Sequence, residues 1–220
     1  MKKDWMDMEI KAIIFDLDGT LIDSLGDVAC YANIVLARYG FATRDTMEYR
    51  YLAGQGAYNL MSAASGSSDK KLTDKMAEEF KAEYEKSDKT PILYQGILEA
   101  INGLSAKGIS LAVLSNKPDH LTKICVQKAF DGSDFKAVIG HKDGYEVKPN
   151  PKAALEIAEI FGLSPSQIAI VGDTKNDMLT AKNGGFYAIG VTWGFRDKAE
   201  LEESGADVII GRPIEILVKV

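Results

Sequence analysis

Two cysteines and two histidines in 220 residues leave several chemistries without material. Cys30 and Cys125 are far apart, with no C-x-x-C pair and no histidine cluster, so neither a disulfide framework nor a zinc site is indicated. Both are expected to be buried thiols in a reducing compartment. Positive charge is also scarce. The chain has 26 Lys and Arg against 32 Asp and Glu, a formal net charge of -6 and a pI near 5.1, which removes the basic footprint that a nucleic-acid backbone requires. No apolar run approaches the ~20 residues that span a bilayer. The opening MKKDWMDMEI sets acids where a signal peptide needs an apolar core. No nucleic-acid or membrane partner is expected, and a cytoplasmic location is. Internal repeats and low-complexity tracts are missing too, SGSSDKK at 65–71 reading as a loop. What is plentiful is apolar surface: 46% hydrophobic residues beside 26% charged ones allow a substantial core and argue against disorder.

Short apolar runs recur between helical patterns: AIIF (12–15), ISLAVL (109–114), AVIG (137–140), IAIVG (168–172), FYAIGV (186–191) and DVIIG (207–211). Runs of this length, apolar on both faces, suit a parallel sheet covered by helices on each side. QGILEAINGLSAKG offers such a helix, with Ile97, Leu98, Ile101 and Leu104 as its stripe and Gly108 as its stop. PKAALEIAEIFG repeats the design with Ala154, Leu155, Ala158, Ile160 and Phe161. Residues 21–90 break the rhythm, because they hold only helical patterns and turns. Val28, Tyr31, Ala32, Val35, Leu36 and Tyr39 make one amphipathic stripe, and Leu72, Met76, Phe80 and Tyr84 another. The fold class read from this is α/β: a Rossmann-like parallel sheet core (1–20 and 91–220) with a small helical domain (21–90) inserted.

In open parallel sheets, ligands bind beyond the carboxyl ends of the strands. Asp16 and Asp18 follow the first strand there, Asp173 follows IAIVG, Ser115 and Asn116 follow ISLAVL, and Lys148 lies in the polar loop DGYEVKPNP. Were these strands neighbours, their carboxylates would repel one another and raise each other's pKa. A hard divalent cation relieves that conflict, and Mg²⁺ suits a few carboxylates together with a phosphate.

These residues carry a resemblance. DLDGTLIDS (16–24), LSNKP (114–118), KPNP (148–151) and GDTKNDMLTAKNGG (172–185) resemble, in order, the four motifs of the haloacid dehalogenase-like superfamily of phosphohydrolases. The chain is most similar to the phosphoglycolate phosphatase-like branch with a helical cap. The resemblance spans nearly the whole sequence and is weakest in the cap. It implies Asp16 as the nucleophile on phosphorus and Asp18 as general acid and then base, two positions apart on an extended segment so that both point one way. It implies Thr20 holding Asp18, Ser115 and the Asn116 amide holding phosphate oxygens, and Lys148 neutralising charge. The metal set it implies is Asp16, Asp18 through its carbonyl, and Asp173, with Asp177 behind them. Ser115 stands where relatives often carry Thr, and KNGG where Ala often precedes the last Gly.

Taken singly, DxDGT fits a strand and turn, Lys148 a surface lysine, and Ser115 or Asp173 a helix cap. Their order and placement after strands favour the chemical reading. In the cap, Arg50, Gln55, Lys70, Lys71 and Lys75 read first as surface residues. If a carboxylate lies beyond the phosphate, the loop at Gly54, Gln55 and Gly56, the amides after it and Arg50 are the candidates to meet it. His120 and His141 read as structural or exposed, and Trp193 as packing. The expected function is a Mg²⁺-dependent phosphatase of a small phosphorylated metabolite, phosphoglycolate-like, acting as monomer or homodimer. A β-phosphoglucomutase-like sugar-phosphate mutase or a sugar phosphatase is the alternative, since the motifs are shared.

Overall fold

A computed structural model describes residues 9–132, 135–142, 144 and 146–219. Six strands form one parallel sheet: β1 (Ala12–Phe15), β2 (Ser110–Pro118), β3 (Phe135–His141), β4 (Ile168–Gly172), β5 (Tyr187–Val191) and β6 (Val208–Ile210). Their spatial order is β3-β2-β1-β4-β5-β6. Helices α1 (Leu25–Arg38), α2 (Tyr49–Leu52), α3 (Ala57–Ser65) and α4 (Lys70–Glu85) lie between β1 and β2. They are followed along the chain by α5 (Ile97–Ala106), α6 (Asp119–Ala129), α7 (Lys152–Phe161), α8 (Lys175–Gly184) and α9 (Lys198–Glu203).

β1 is buried at all four positions, as a strand covered on both faces must be. Ile13, Phe15, Val113, Val171 and Val191 share one apolar layer with Ile97, Ile101 and Leu104 of α5 and with the inserted helices. Ile14, Ala112, Leu114 and Ile170 share the other with Ala154 and Ile157 of α7, Met178 of α8 and Leu201 of α9. The chain runs outward from β1 through β2 and β3, then returns to β4 on the opposite side of β1. That reversal puts the switch point of the sheet, where strand ends diverge and leave a crevice, between β1 and β4.

Some helix residues face the other way from the sequence reading. Leu98, Leu155 and Ile160 are 48%, 37% and 58% exposed. Residues one helical step from a stripe are rotated about 100° away from it, and the buried stripes are Ile97, Ala100, Ile101, Leu104 and Ala154, Ile157, Ala158. Cys125 is buried but Cys30 is exposed, because Val28, Ala29, Tyr31, Ala32, Val35 and Leu36 occupy the inner face of α1 and Cys30 falls outside it. The segments entering and leaving the helical insertion bond to each other, Asp23 N to Ile92 O at 2.8 Å and Tyr94 N to Leu21 O at 3.2 Å. Among the described residues no helix is long and apolar enough to cross a membrane.

Candidate active site

The register places the acids. Phe15 pairs with Val171 on one side and Val113 on the other, so the residues just beyond these strands emerge side by side. The Asp16 amide donates to Val171 O at 2.9 Å, which carries the ladder one residue further. Asp173 is wholly buried between the loop after β1 and the loop after β5. Its Oδ1 accepts from Thr20 Oγ1 at 3.3 Å and its Oδ2 from the Phe195 amide at 2.7 Å. Both loops approach so closely that a Cβ on Gly19 would fall 2.3 Å from Asp173 Oδ2, and one on Gly194 would fall 2.4 Å from Asp173 Cβ. Gly19 also has φ near +88°, the left-handed region that only glycine occupies freely.

Lys148 Nζ reaches into this cluster, 2.7 Å from Asp16 Oδ1, 2.6 Å from Asp177 Oδ1 and 3.0 Å from Leu114 O. Burial alone would lower its pKa, but Asp16 and Asp177 outweigh that and raise it, so the ammonium stays charged. Asp177 is fixed in turn by the Thr174 hydroxyl at 2.8 Å and amide at 3.1 Å, a capping box at the start of α8. Burial pushes the Asp16 carboxyl up to about 7; Lys148 opposes this, and Asp177 adds to it. Asp173 is raised as well, first by burial and then by Asp16 and Asp177.

Asp18 meets a different cation. Lys117 Nζ lies 2.9 Å from Asp18 Oδ1 and 3.2 Å from Oδ2, and it sits 3.9 Å over the ring of Tyr84 from α4. Thr20, read as the partner of Asp18, is bonded to Asp173 instead. The cavity between core and insertion measures about 60 Å³ and is lined at its base by Asp16, Asp18, Ser115, Asn116 and Lys148. That is room for roughly four to six waters. Gly54 and Gly56 also line it, and Gly54 O accepts from Asn116 Nδ2 at 3.0 Å and from Asn176 Nδ2 at 3.3 Å. Gln55 is exposed and off the cavity wall.

Arg50 is off that wall too. Its guanidinium donates to Phe195 O and to Gly194 O, while Arg196 donates back to Arg50 O, Tyr51 O and Ala53 O. The two arginines therefore clasp the insertion to the loop that holds Asp173. Trp193 Nε1 donates to Thr20 O at 2.9 Å, a packing role as read, and His120 is largely exposed. Lys117, Arg196 and Thr174 carry no site role in the sequence, and Tyr84 reads there only as part of an apolar helix stripe. β2 continues through Lys117 to Pro118, beyond the apolar run ISLAVL.

The donor set fits a hard cation. One carboxylate oxygen from each of Asp16, Asp173 and Asp177 lies within 4.8 Å of the others, all three residues buried. Three carboxylates against one ammonium, Lys148, leave two negative charges for a divalent ion to neutralise. This has a thermal consequence whose sign is fixed. Carboxyls raised in the folded state bind more protons than in the unfolded chain, so the metal-free protein is expected to lose stability as pH rises from about 4 through about 7. Mg²⁺ is then expected to raise Tm more at pH 8 than at pH 5.5. Asp173→Asn, whose amide can still accept from Phe195 and donate to Thr20, is expected to raise the metal-free Tm by about 2–4 °C and to abolish the Mg²⁺ response. Differential scanning fluorimetry checks both; a wild type indifferent to Mg²⁺ at pH 8 would dismiss this site as a cation site.

Comparison with known proteins agrees with this geometry. The family model described as haloacid dehalogenase-like hydrolase matches residues 13–191. A phosphoglycolate phosphatase of Vibrio vulnificus is 32% identical over 217 residues, 95% of each chain. One of Mannheimia succiniciproducens is 32% identical over 214 residues, covering 93% of this chain and 95% of its own. The solved structure of a haloacid dehalogenase-like family hydrolase from Streptococcus pneumoniae superposes with a TM-score of 0.81 at 25% identity, covering 95% of this chain and 97% of its own. With acids, lysine and parallel switch point arranged as the four motifs require, the chain belongs to the haloacid dehalogenase-like hydrolases and is phosphoglycolate phosphatase-like among them.

Proposed function

We propose that the protein is a Mg²⁺-dependent phosphatase acting on a small phosphate monoester through an aspartyl-phosphate intermediate. The observation that carries this is the cluster of Asp16, Asp173 and Asp177 at the switch point, with Lys148 bonded to Asp16 and Asp177 and with Asp18 lining the same cavity as Asp16 and Lys148. Asp16, Asp173 and the Asp18 carbonyl would hold the metal, with Asp177 behind them. When bound, the ion supplies positive charge to the phosphoryl oxygens.

An Asp16 carboxylate oxygen forms the bond to phosphorus as the ester P–O bond breaks. The electron pair goes to the leaving oxygen, which takes a proton from Asp18. Asp18 then accepts a proton from water, whose oxygen attacks phosphorus and releases Asp16 with inorganic phosphate. Ser115 and the Asn116 amide hold the phosphoryl oxygens, and Lys148 keeps Asp16 oriented and offsets charge.

The relatives named phosphoglycolate phosphatase support a small carboxylated ester. A sugar leaving group would set some of its hydroxyls against Val28, Leu60, Phe80 and Leu121, which offer them no partner. EDTA is expected to abolish phosphate release and Mg²⁺ to restore it. Ca²⁺, with its longer bonds and looser coordination, is expected to support it poorly. Full activity in EDTA would reject the proposal.

A further inference from the structure

The cavity has two unlike ends. Its phosphate end holds Asp16, Ser115, Asn116 and Lys148; its other end is walled by Val28, Leu60, Phe80 and Leu121. Lys148 is taken up by Asp16 and Asp177, and Arg50 is turned to the Phe195 and Gly194 carbonyls. That leaves one other cation on the cavity wall among the described residues, Lys117, whose side chain is only 6% exposed. Its ammonium has three donors: the Asp18 oxygens take at most two and Tyr84, whose ring lies 3.9 Å away, is a further partner, so an incoming anion shares the ammonium with these groups.

We infer that Lys117 is the specificity-determining residue of the site, binding a carboxylate carried by the leaving group while it holds Asp18 against that group's ester oxygen. The inference rests on the phosphatase reading above. Its physics is that of a charge in an apolar chamber. Away from water an anion–cation contact is far stronger than at the surface, whereas an uncharged polar substituent gains at most an ordinary hydrogen bond from the same ammonium. Tyr84 beneath the ammonium belongs to α4, so the contact forms only where insertion and core meet. A two-carbon ester places its carboxylate a few ångströms from the ester oxygen, and Lys117, on the cavity wall beside Asp18, is the cation next to the residue that serves that oxygen.

The test compares two esters of equal chain length, 2-phosphoglycolate and 2-hydroxyethyl phosphate, which differ in the carboxylate. With Mg²⁺, wild type is expected to favour phosphoglycolate in kcat/KM. Lys117→Met is expected to lower that preference about 10- to 100-fold, chiefly through KM for phosphoglycolate, on top of a kcat loss common to both esters from a misplaced Asp18. Lys117→Arg is expected to keep most of the preference. If the methionine variant does not fold, Lys117→Gln, which keeps polar contact with Asp18 but no charge, gives the same comparison. An unchanged ratio in the neutral variant, or no preference in wild type, overturns the inference while leaving the phosphatase reading intact. Absence of phosphate release from every ester overturns both.

Discussion

Asp16→Asn is expected to leave no measurable turnover, a loss on the order of 10⁶ of the kind seen when a covalent nucleophile is removed. The amide nitrogen and oxygen are poor nucleophiles, so phosphorus has nothing to bond to, and one of the three clustered carboxylates no longer faces the metal. The fold is expected to survive. Asn removes the cost of burying a charge, which together with repulsion from Asp177 raises the Asp16 carboxyl, and its oxygen can still accept from Lys148. Phosphate release measures the loss, and intact-protein mass spectrometry after acid quench reads the intermediate: one added phosphoryl group on wild type, none on the variant. A variant within tenfold of wild type, still folded by Tm, would remove Asp16 from the chemistry.

Asp18→Asn separates the second acid from the first. Turnover of alkyl phosphates is expected to fall by about 10² to 10⁴, the usual worth of a general acid–base. p-Nitrophenyl phosphate is expected to lose much less in the first step, because its leaving group departs without a proton. The variant also leaves the Lys117 ammonium buried without its carboxylate, which costs stability. Rates are therefore compared at a temperature where circular dichroism shows the variant folded. Equal losses on good and poor leaving groups would assign Asp18 a binding role only.

How far the sequence reveals the site differs by residue, for physical reasons. Asp16 and Asp173 follow apolar runs of strand length, and parallel pairing sends such residues to one edge, so their convergence follows once β1 and β4 are neighbours. Residues that act across chain distance were less visible. Nothing near Arg50 in sequence tells that Phe195 and Gly194 will face it, since the clasp forms between an insertion and a loop about 145 positions away. Lys117 was masked differently: the motif LSNKP appeared to leave the strand at Ser115, whereas β2 persists to Pro118 and turns the lysine toward Asp18. The family resemblance pairs Thr20 with Asp18. The sharp turn at Gly19 instead points its hydroxyl at Asp173. Leu98, Leu155 and Ile160 show a further limit, since hydrophobicity alone does not say on which side of a helix an apolar residue stands.

The central claim is that the site transfers a phosphoryl group from a small ester to Asp16 and then to water. ³¹P NMR of the wild-type protein with 2-phosphoglycolate and Mg²⁺ follows this directly, with glucose 1-phosphate in a parallel sample. The expected result is a growing resonance of inorganic phosphate from phosphoglycolate, absent in EDTA, with the sugar phosphate turned over far more slowly. Conversion of the sugar phosphate to an isomeric phosphate ester while phosphoglycolate stays intact would contradict the account and make the protein a mutase.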